Sequence, residues 1–332
     1  MFNSIGKLVF SLFILIFPLS VYAQLKKDFK FQMSGQTDND SYAFTNSDRY
    51  YSNGMFLSFR KAIDADLHKS KASVAKKIYG FELGHEIFMP YTSQRKYYRE
   101  SLIDRPYAGY ISLTGSWDSY YKNESALKLS GSIGFIGPST NVQELQSWTH
   151  DKFGYYHPIG WNHQIQNSVG VNLKVVYQKM LLSNRSGKRF FDISAGTEAR
   201  IGTFFNGAEA SAVIRIGALE KMFNSNVYDA RVSNGTQVDE KERNCEWSFY
   251  VIPKLNYVAY DATIEGSLFE THNDPEEILK TPSPLVFNQQ IGFMFSQNRW
   301  GLNFSYNYRT KETREAIVPT KYGSLKLLYY FN

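Results

Sequence analysis

The sequence has a single cysteine, Cys245, among its 332 residues, so the chain cannot form an internal disulfide. A small secreted domain held together by disulfide bonds is therefore excluded. After the first 23 residues there is no apolar run near 18 residues, which excludes a protein that crosses a membrane with helices. Low-complexity stretches rich in proline or acidic residues are also lacking, so disorder does not describe the chain.

The charge is balanced rather than strongly of one sign. The formal net charge is +6, and aromatic residues make up 16% and charged residues 20% of the chain. No nucleic-acid-binding motif accompanies the positive charge, so a nucleic-acid partner is not expected. The mild excess of positive charge is compatible with contact between the protein and an anionic surface such as phosphorylated lipid.

The first residues have the features of a signal peptide. Lys7 supplies a positive charge, residues 8–17 form a short apolar run, and Val21 and Ala23 place small residues before a cleavage site. The apolar run is too short for a transmembrane helix. We predict a signal peptide over 1–23 and a single domain over 24–332.

Alternation of apolar and polar residues recurs along the whole of that domain and predicts β-strands. One face of each segment is apolar or aromatic, and the other carries small or polar residues. So many long strands behind an export signal are best closed into a barrel, because closure leaves no strand edge. We therefore predict an all-β, transmembrane antiparallel barrel of about 12 strands in the outer membrane of a Gram-negative-type cell. The segments are 29–33, 55–59, 78–88, 110–114, 127–133, 169–176, 191–201, 208–219, 247–260, 286–295, 300–308 and 325–331.

Barrel parity assigns the connections to two ends. With both termini in the periplasm and strands alternating in direction, every second connection faces the cell exterior. The connections at 61–77 and 220–245 fall on the periplasmic side and are longer than the turns typical there. The predicted outer loops are 36–51, 89–106, 137–165, 201–207, 259–284 and 311–321.

The third outer loop is predicted to contain a short helix near 141–153. Thr140 and Gln143 have the spacing of a capping box, and Gly154 supplies a C-terminal stop. The residues Val142, Leu145, Thr149 and Phe153 fall on one face of this helix. His150 projects near the edge of that stripe, either as a functional group against the barrel wall or as a solvated loop histidine.

Each remaining polar candidate has an ordinary structural alternative. Asn39 and Asp40 together are typical of an Asx turn at a strand end. Ser52 is compatible with an ordinary strand hydroxyl, and Arg95 with Lys96 is compatible with charge at the level of the lipid headgroups. The neighbours Asp104 and Arg105 are compatible with a local ion pair.

A functional role for these candidates is better supported when they are taken together, because the same parity places them all at one rim. Ester hydrolysis uses such a set, with a histidine as general base and donors or a cation to stabilise the oxyanion. Asp40 with loop carbonyls has the oxygen ligands that Ca²⁺ prefers. No Cys/His cluster suggests a zinc site.

Several motifs, in this order and spacing, resemble those of the LpxR-type outer-membrane lipid A 3′-O-deacylases. The resemblance spans nearly the whole mature chain, and its specific motifs lie on the predicted outer loops. The matching stretches are Asn39-Asp40, 47–54, 104–109, 136–138, 143–150, 160–164 and 321–325.

This resemblance implies a twelve-stranded outer-membrane barrel that hydrolyses the ester of the 3′-linked acyloxyacyl group of lipid A with Ca²⁺. It assigns catalytic roles to Asn39, Asp40, Ser52 and His150, with Ser52 as nucleophile or as a group that positions water. Family members tend to have a glutamate shortly after the histidine, where this chain has Tyr156. Glu144 and Asp151 are the nearby carboxylates that could replace it electrostatically.

The implied partners are lipid A or lipopolysaccharide and the outer-membrane lipid, with the protein acting as a monomer. Arg95 and Lys96 are candidates for binding the phosphates or acidic sugars of that substrate. Two alternatives remain open. An outer-membrane phospholipase also couples a barrel to His, Ser, Asn and Ca²⁺, and a porin-like barrel would have no chemistry at all.

Overall fold

The computed structural model describes residues 29–43, 48–64, 73–94, 96–184, 188–234, 245–269 and 274–332. The predicted signal peptide at 1–23 lies outside these ranges. Within them the chain forms twelve strands: β1 Phe31–Asn39, β2 Tyr50–Ala62, β3 Val74–Met89, β4 Ala108–Tyr121, β5 Ser125–Ile136, β6 Ser168–Ser183, β7 Phe191–Gly202, β8 Phe205–Ala218, β9 Cys245–Asp261, β10 Leu285–Gln297, β11 Trp300–Arg309 and β12 Thr320–Phe331.

These strands form one closed antiparallel barrel. Each strand pairs with its neighbours in the sequence, and β1 pairs with β12 to complete the ring. In that last pair Phe31 lies opposite Phe331, and Asn39 lies opposite Gly323. The structure thus confirms the predicted twelve-stranded barrel, although most strands are longer than their alternating segments.

The alternation that predicted the strands separates the two faces of the wall. Met55 and Leu57 on β2 and Leu83 on β3 point outward and are exposed. The residue after Leu57, Ser58, points into the lumen, where its hydroxyl forms a 2.6 Å hydrogen bond with that of Ser34. An apolar outer surface with a polar interior is the arrangement of a barrel embedded in lipid.

The connections gather at two rims, as parity predicted. The site rim carries the connections 40–49, 90–107, 137–167, 203–204, 262–284 and 310–319, and the opposite rim carries the others. The described residues contain two α-helices, α1 (Val142–Phe153) and α2 (Ala262–Glu265), both at the site rim. Single 3-10 turns occupy Asp40–Ala43, Glu100–Leu102, Pro138–Thr140, Trp161–His163, Met222–Asn224 and Asn226–Tyr228. In the described ranges we find no helix with the length and apolar character to cross a membrane.

The long connection after β8 fills the end of the lumen at the opposite rim. We call residues 219–234 the plug. Its side chains Met222, Tyr228 and Val232 are buried against Ile78 and Tyr120 of the barrel wall. Polar contacts also fix it, because the buried Lys76 Nζ donates hydrogen bonds to the carbonyl oxygens of two plug residues at 2.8 and 3.1 Å. The length of this connection is explained by its role in closing the barrel.

Candidate active site

Helix α1 packs against the outer surface of the barrel, at the ends of β3 and β4. The outward-facing Ile87 and Met89 of β3 are buried together with Val142 of the helix and Trp161 of the following segment. Gly109 of β4 faces the same contact, and a β-carbon there would collide with the Val142 side chain. Glycine at this position therefore allows the helix to approach the wall closely.

The helix ends as predicted but does not begin as predicted. Asn141 precedes it in a left-handed conformation and makes no capping hydrogen bond, and Thr140 donates its hydroxyl hydrogen bond to the carbonyl of Gly137 at 2.6 Å. The predicted capping box is therefore wrong. Gly154 adopts φ 72° and its N–H donates to the His150 carbonyl, which confirms the C-terminal stop.

The buried face of α1 is also different from the predicted apolar stripe. It consists of Val142, Gln146 and His150, at i, i+4 and i+8, whereas Phe153 is 49% exposed. Gln146 accepts a 3.0 Å hydrogen bond from the Trp161 indole, and its amide donates to the Met89 sulfur at 2.6 Å. A polar face can be buried here because residues outside the helix supply its hydrogen-bond partners.

His150 lies between two fixed partners beneath the helix. Its Nδ1 is 2.5 Å from the backbone carbonyl oxygen of Tyr156, which can only accept, so Nδ1 carries a proton. Its Nε2 lies 3.2 Å from Oδ2 of Asp48. The imidazole is therefore held on one side by a backbone carbonyl and faces a carboxylate on the other.

A second carboxylate stands beside this pair. Asp40 is buried in the first turn after β1 and accepts a 3.0 Å hydrogen bond from the backbone N–H of Arg49. Burial, together with the nearby Asp48 carboxylate, raises the pKa of Asp40 to about 8. The first loop thus places a second carboxyl group near the Asp48 carboxylate.

Asn39 lies on the outer wall at the same rim. Every second residue of β1 faces outward, and this set contains both the exposed Met33 and Asn39. The intervening residues face inward, and among them Asp38 accepts a hydrogen bond from the Ser324 hydroxyl. The Asn39 side-chain oxygen accepts from the Ser41 backbone N–H at 2.8 Å, which forms the Asx turn considered from the sequence. Across β2, its partner in the register is Asn53.

Ser52 is buried at an irregularity of β2. The pairing with β3 shifts between Tyr51 and Asn53, so Ser52 is the extra residue of a β-bulge. In the part of the chain that the structure describes, no hydrogen bond joins its hydroxyl to His150 or Asp40. The structure does not bring Ser52 into the hydrogen-bonded cluster.

Of the two basic candidates, Lys96 lies within the described residues. Lys96 is exposed, with Nζ 5.2 Å from the ring centre of Tyr97, and Arg95 lies outside the described residues. The considered ion pair between Asp104 and Arg105 is wrong. Asp104 accepts a 2.5 Å hydrogen bond from the Tyr50 hydroxyl, whereas the buried Arg105 donates to the Thr263 hydroxyl at 3.0 Å.

The carboxylate that meets His150 is that of Asp48 in the first loop, which was not among the predicted site residues. Neither nearby acid of α1 takes that place, because Glu144 is exposed and Asp151 is 72% exposed and closest to His157, at 3.9 Å. Asp48 belongs to the stretch 47–54 that carried the family resemblance. That stretch was the available signal, but it could not show which of its side chains would face the helix.

The acidic groups are suited in type to a hard cation. Asp40 and Asp48 offer carboxylate oxygens, and the adjacent loop backbone offers carbonyls. Two neighbouring carboxyl groups, one with a raised pKa, are an arrangement that a divalent cation would stabilise. Over the described ranges no three His, Cys, Asp or Glu side chains are grouped as metal ligands, so carbonyls, amides or water would complete any such site.

Comparisons with known proteins agree with the architecture. A family model described as outer membrane protein LpxR matches residues 8–331. Among solved structures, LpxR from Salmonella typhimurium aligns with a TM-score of 0.72 at 19% identity, covering 90% of this chain and 100% of that chain. The β domain of the Bordetella autotransporter Brka covers 92% of this chain and 100% of its own at 8% identity, with a TM-score of only 0.48. A comparison with curated protein sequences gives no significant match.

Proposed function

Because this chain belongs to the LpxR family of outer-membrane proteins, we propose that it is a lipid A deacylase. The reaction is hydrolysis of the ester that holds the 3′-linked acyloxyacyl group, in the outer leaflet, with the site rim toward the cell exterior. The observation that carries the proposal is the contact between the buried His150 and the partly buried Asp48, 3.2 Å apart at the outer barrel wall. A titratable pair at that position faces lipid rather than the lumen.

His150 supplies the general base. Its Nδ1–H is held by the Tyr156 carbonyl, so Nε2 is the nitrogen that takes a proton from the attacking water. Asp48, 3.2 Å from Nε2, stabilises the imidazolium that forms. The side-chain amide of Asn39 points from the outer wall of the same rim and would donate to the oxygen of the ester carbonyl as charge develops there.

Ca²⁺ fits as the cofactor of this site. Asp40 and Asp48 would hold it, and when bound the ion supplies positive charge that polarises the ester carbonyl. Ser52 has no hydrogen bond to His150, and this favours attack by water over an acyl-enzyme on Ser52. Trapping an acyl group on Ser52 in a stalled reaction would contradict the water route.

Mass spectrometry of lipid A from cells with and without the protein tests the proposal. We expect loss of one 3′ acyloxyacyl group in cells that carry the wild-type chain, and no loss with His150→Gln or after chelation of Ca²⁺. Altered phospholipids with unchanged lipid A would instead identify a phospholipase. Replacing Arg95 and Lys96 together is expected to weaken turnover of phosphorylated lipid A, and unchanged turnover would remove their proposed role.

The porin-like alternative has less support than either enzyme. The plug fills one end of the lumen. Near the site rim, aromatic side chains from distant strands meet inside the barrel. The ring centres of Tyr110 on β4 and Phe205 on β8 are 5.3 Å apart. A polar cavity of about 380 Å³ remains in the lumen, lined by charged residues of both signs.

A further inference from the structure

Tyr156 contacts the His150 imidazole in two ways, through its backbone carbonyl and through its ring. Its backbone carbonyl is the 2.5 Å partner of His150 Nδ1. Its ring stands perpendicular to the imidazole, with the two ring centres 5.2 Å apart. One residue therefore fixes both the protonated nitrogen and the plane of the base.

The phenol of the same residue is anchored by a second loop. Its hydroxyl forms a 2.9 Å hydrogen bond with the Ser93 hydroxyl, and Ser93 is buried in the connection between β3 and β4. Burial raises the pKa of the Tyr156 phenol, and the nearby Asp48 carboxylate raises it further. The phenol therefore remains a neutral donor throughout the physiological pH range.

These contacts join three separate connections of the site rim. Asp48 comes from the loop between β1 and β2, Ser93 from the loop between β3 and β4, and His150 and Tyr156 from the loop between β5 and β6. The relative position of the carboxylate and the imidazole therefore depends on contacts between loops.

We propose, on the basis of the deacylase function above, that Tyr156 is a positioning residue. Its hydroxyl, hydrogen-bonded to Ser93, holds the Tyr156 ring against the His150 imidazole, while its carbonyl fixes the orientation of that imidazole. Supporting groups of this kind orient reacting groups, and their loss typically costs about 10–100-fold in activity. The Tyr156 hydroxyl acts through the position of its own ring and touches no reacting atom.

The sharpest test removes the hydroxyl alone. Tyr156→Phe keeps the ring and the backbone carbonyl, and we expect kcat to fall about tenfold with KM within twofold. The matched control is Tyr155→Phe, because Tyr155 is exposed and its ring lies 5.6 Å from that of His150, yet its hydroxyl has no hydrogen bond in the described part of the chain. Ser93→Ala is expected to lower kcat in the same direction, and adding it to Tyr156→Phe should cost little more.

A second readout is independent of turnover. In the folded protein, modification of His150 by diethyl pyrocarbonate is expected to be several times faster in Tyr156→Phe than in the wild type or Tyr155→Phe. Trypsin cleavage at Lys152 separates His150 from the exposed His157, which serves as an internal reference in peptide mass spectrometry. Heat-dependent migration on gels establishes that each variant is folded, and Ser93→Ala replaces Tyr156→Phe if the latter does not fold.

The two readouts separate the failure of this proposal from failure of the proposed function. If the wild-type protein shows no deacylase activity, the proposed function is wrong and the modification rates alone decide the role of Tyr156. If the His150 modification rate in Tyr156→Phe equals that of the wild type and of Tyr155→Phe, the positioning role is overturned.

Discussion

Asp48→Asn is the substitution that most directly tests the site. The change keeps the size and shape of the side chain but removes the negative charge that faces His150 Nε2 at 3.2 Å. The amide then provides no charge to stabilise an imidazolium at His150. We expect the proton-transfer step to slow, while the binding of lipid substrate by the rest of the site is retained.

The separation of the two groups sets the size of the effect. At an effective dielectric constant of 20, unit charges 3.2 Å apart attract by about 5 kcal/mol. The Asp48 side chain is 20% exposed, so solvent screens part of this attraction. Taking roughly half, about 2–3 kcal/mol of stabilisation is lost, which corresponds to a rate about 30- to 150-fold lower.

The assay is release of the acyl group from purified lipid A in detergent micelles, followed by mass spectrometry over time. The matched control is Asp151→Asn. Asp151 follows His150 in the sequence, but its side chain is 72% exposed and lies near His157. We expect its rate to stay within twofold of the wild type. If Asp48→Asn retains wild-type kcat, the His150–Asp48 pair is not the acid–base unit.

Three further outcomes follow from the structure. Because Asp40 has a pKa of about 8 in the folded chain against 3.8 as its ordinary value, its contribution to stability is present below about pH 4 and lost as pH rises through 8. In chelator, the unfolding temperature should therefore fall from pH 5 to pH 9, and Asp40→Asn should remove that part of the fall. Gln146→Leu leaves the Trp161 indole N–H unpaired, which should cost about 1–3 kcal/mol and lower the unfolding temperature, whereas the exposed Gln143→Leu should not. The wild-type protein should give no steady conductance in a planar lipid bilayer, and an open channel would show that the plug does not seal the lumen.

The barrel was predictable because its signal is local and repeated. Each strand alternates with period 2 whatever its neighbours are, so twelve weak patterns together specified the architecture and the rim to which each loop belongs. The same local logic located α1 and its end at Gly154.

The contacts of the site were less predictable because they join loops that are far apart in the sequence. The buried face of α1 is set by Trp161 and Met89, which hydrogen-bond Gln146, rather than by the helix's own apolar residues. For the same reason the choice of Asp48 as the partner of His150 could not be made from spacing, since 102 positions separate them. The roles assigned to Asn39, Asp40, Ser52 and His150 remain predictions.

The placement of α1 on the outer wall has a kinetic consequence. With the proposed function, a lipid substrate would reach the cluster between that helix and the wall by lateral diffusion within the leaflet. Turnover should then depend on the mole fraction of substrate among the surrounding lipids and be insensitive to its bulk concentration. Diluting the substrate with inert lipid at constant total substrate would slow the enzyme, as expected for a reaction confined to two dimensions.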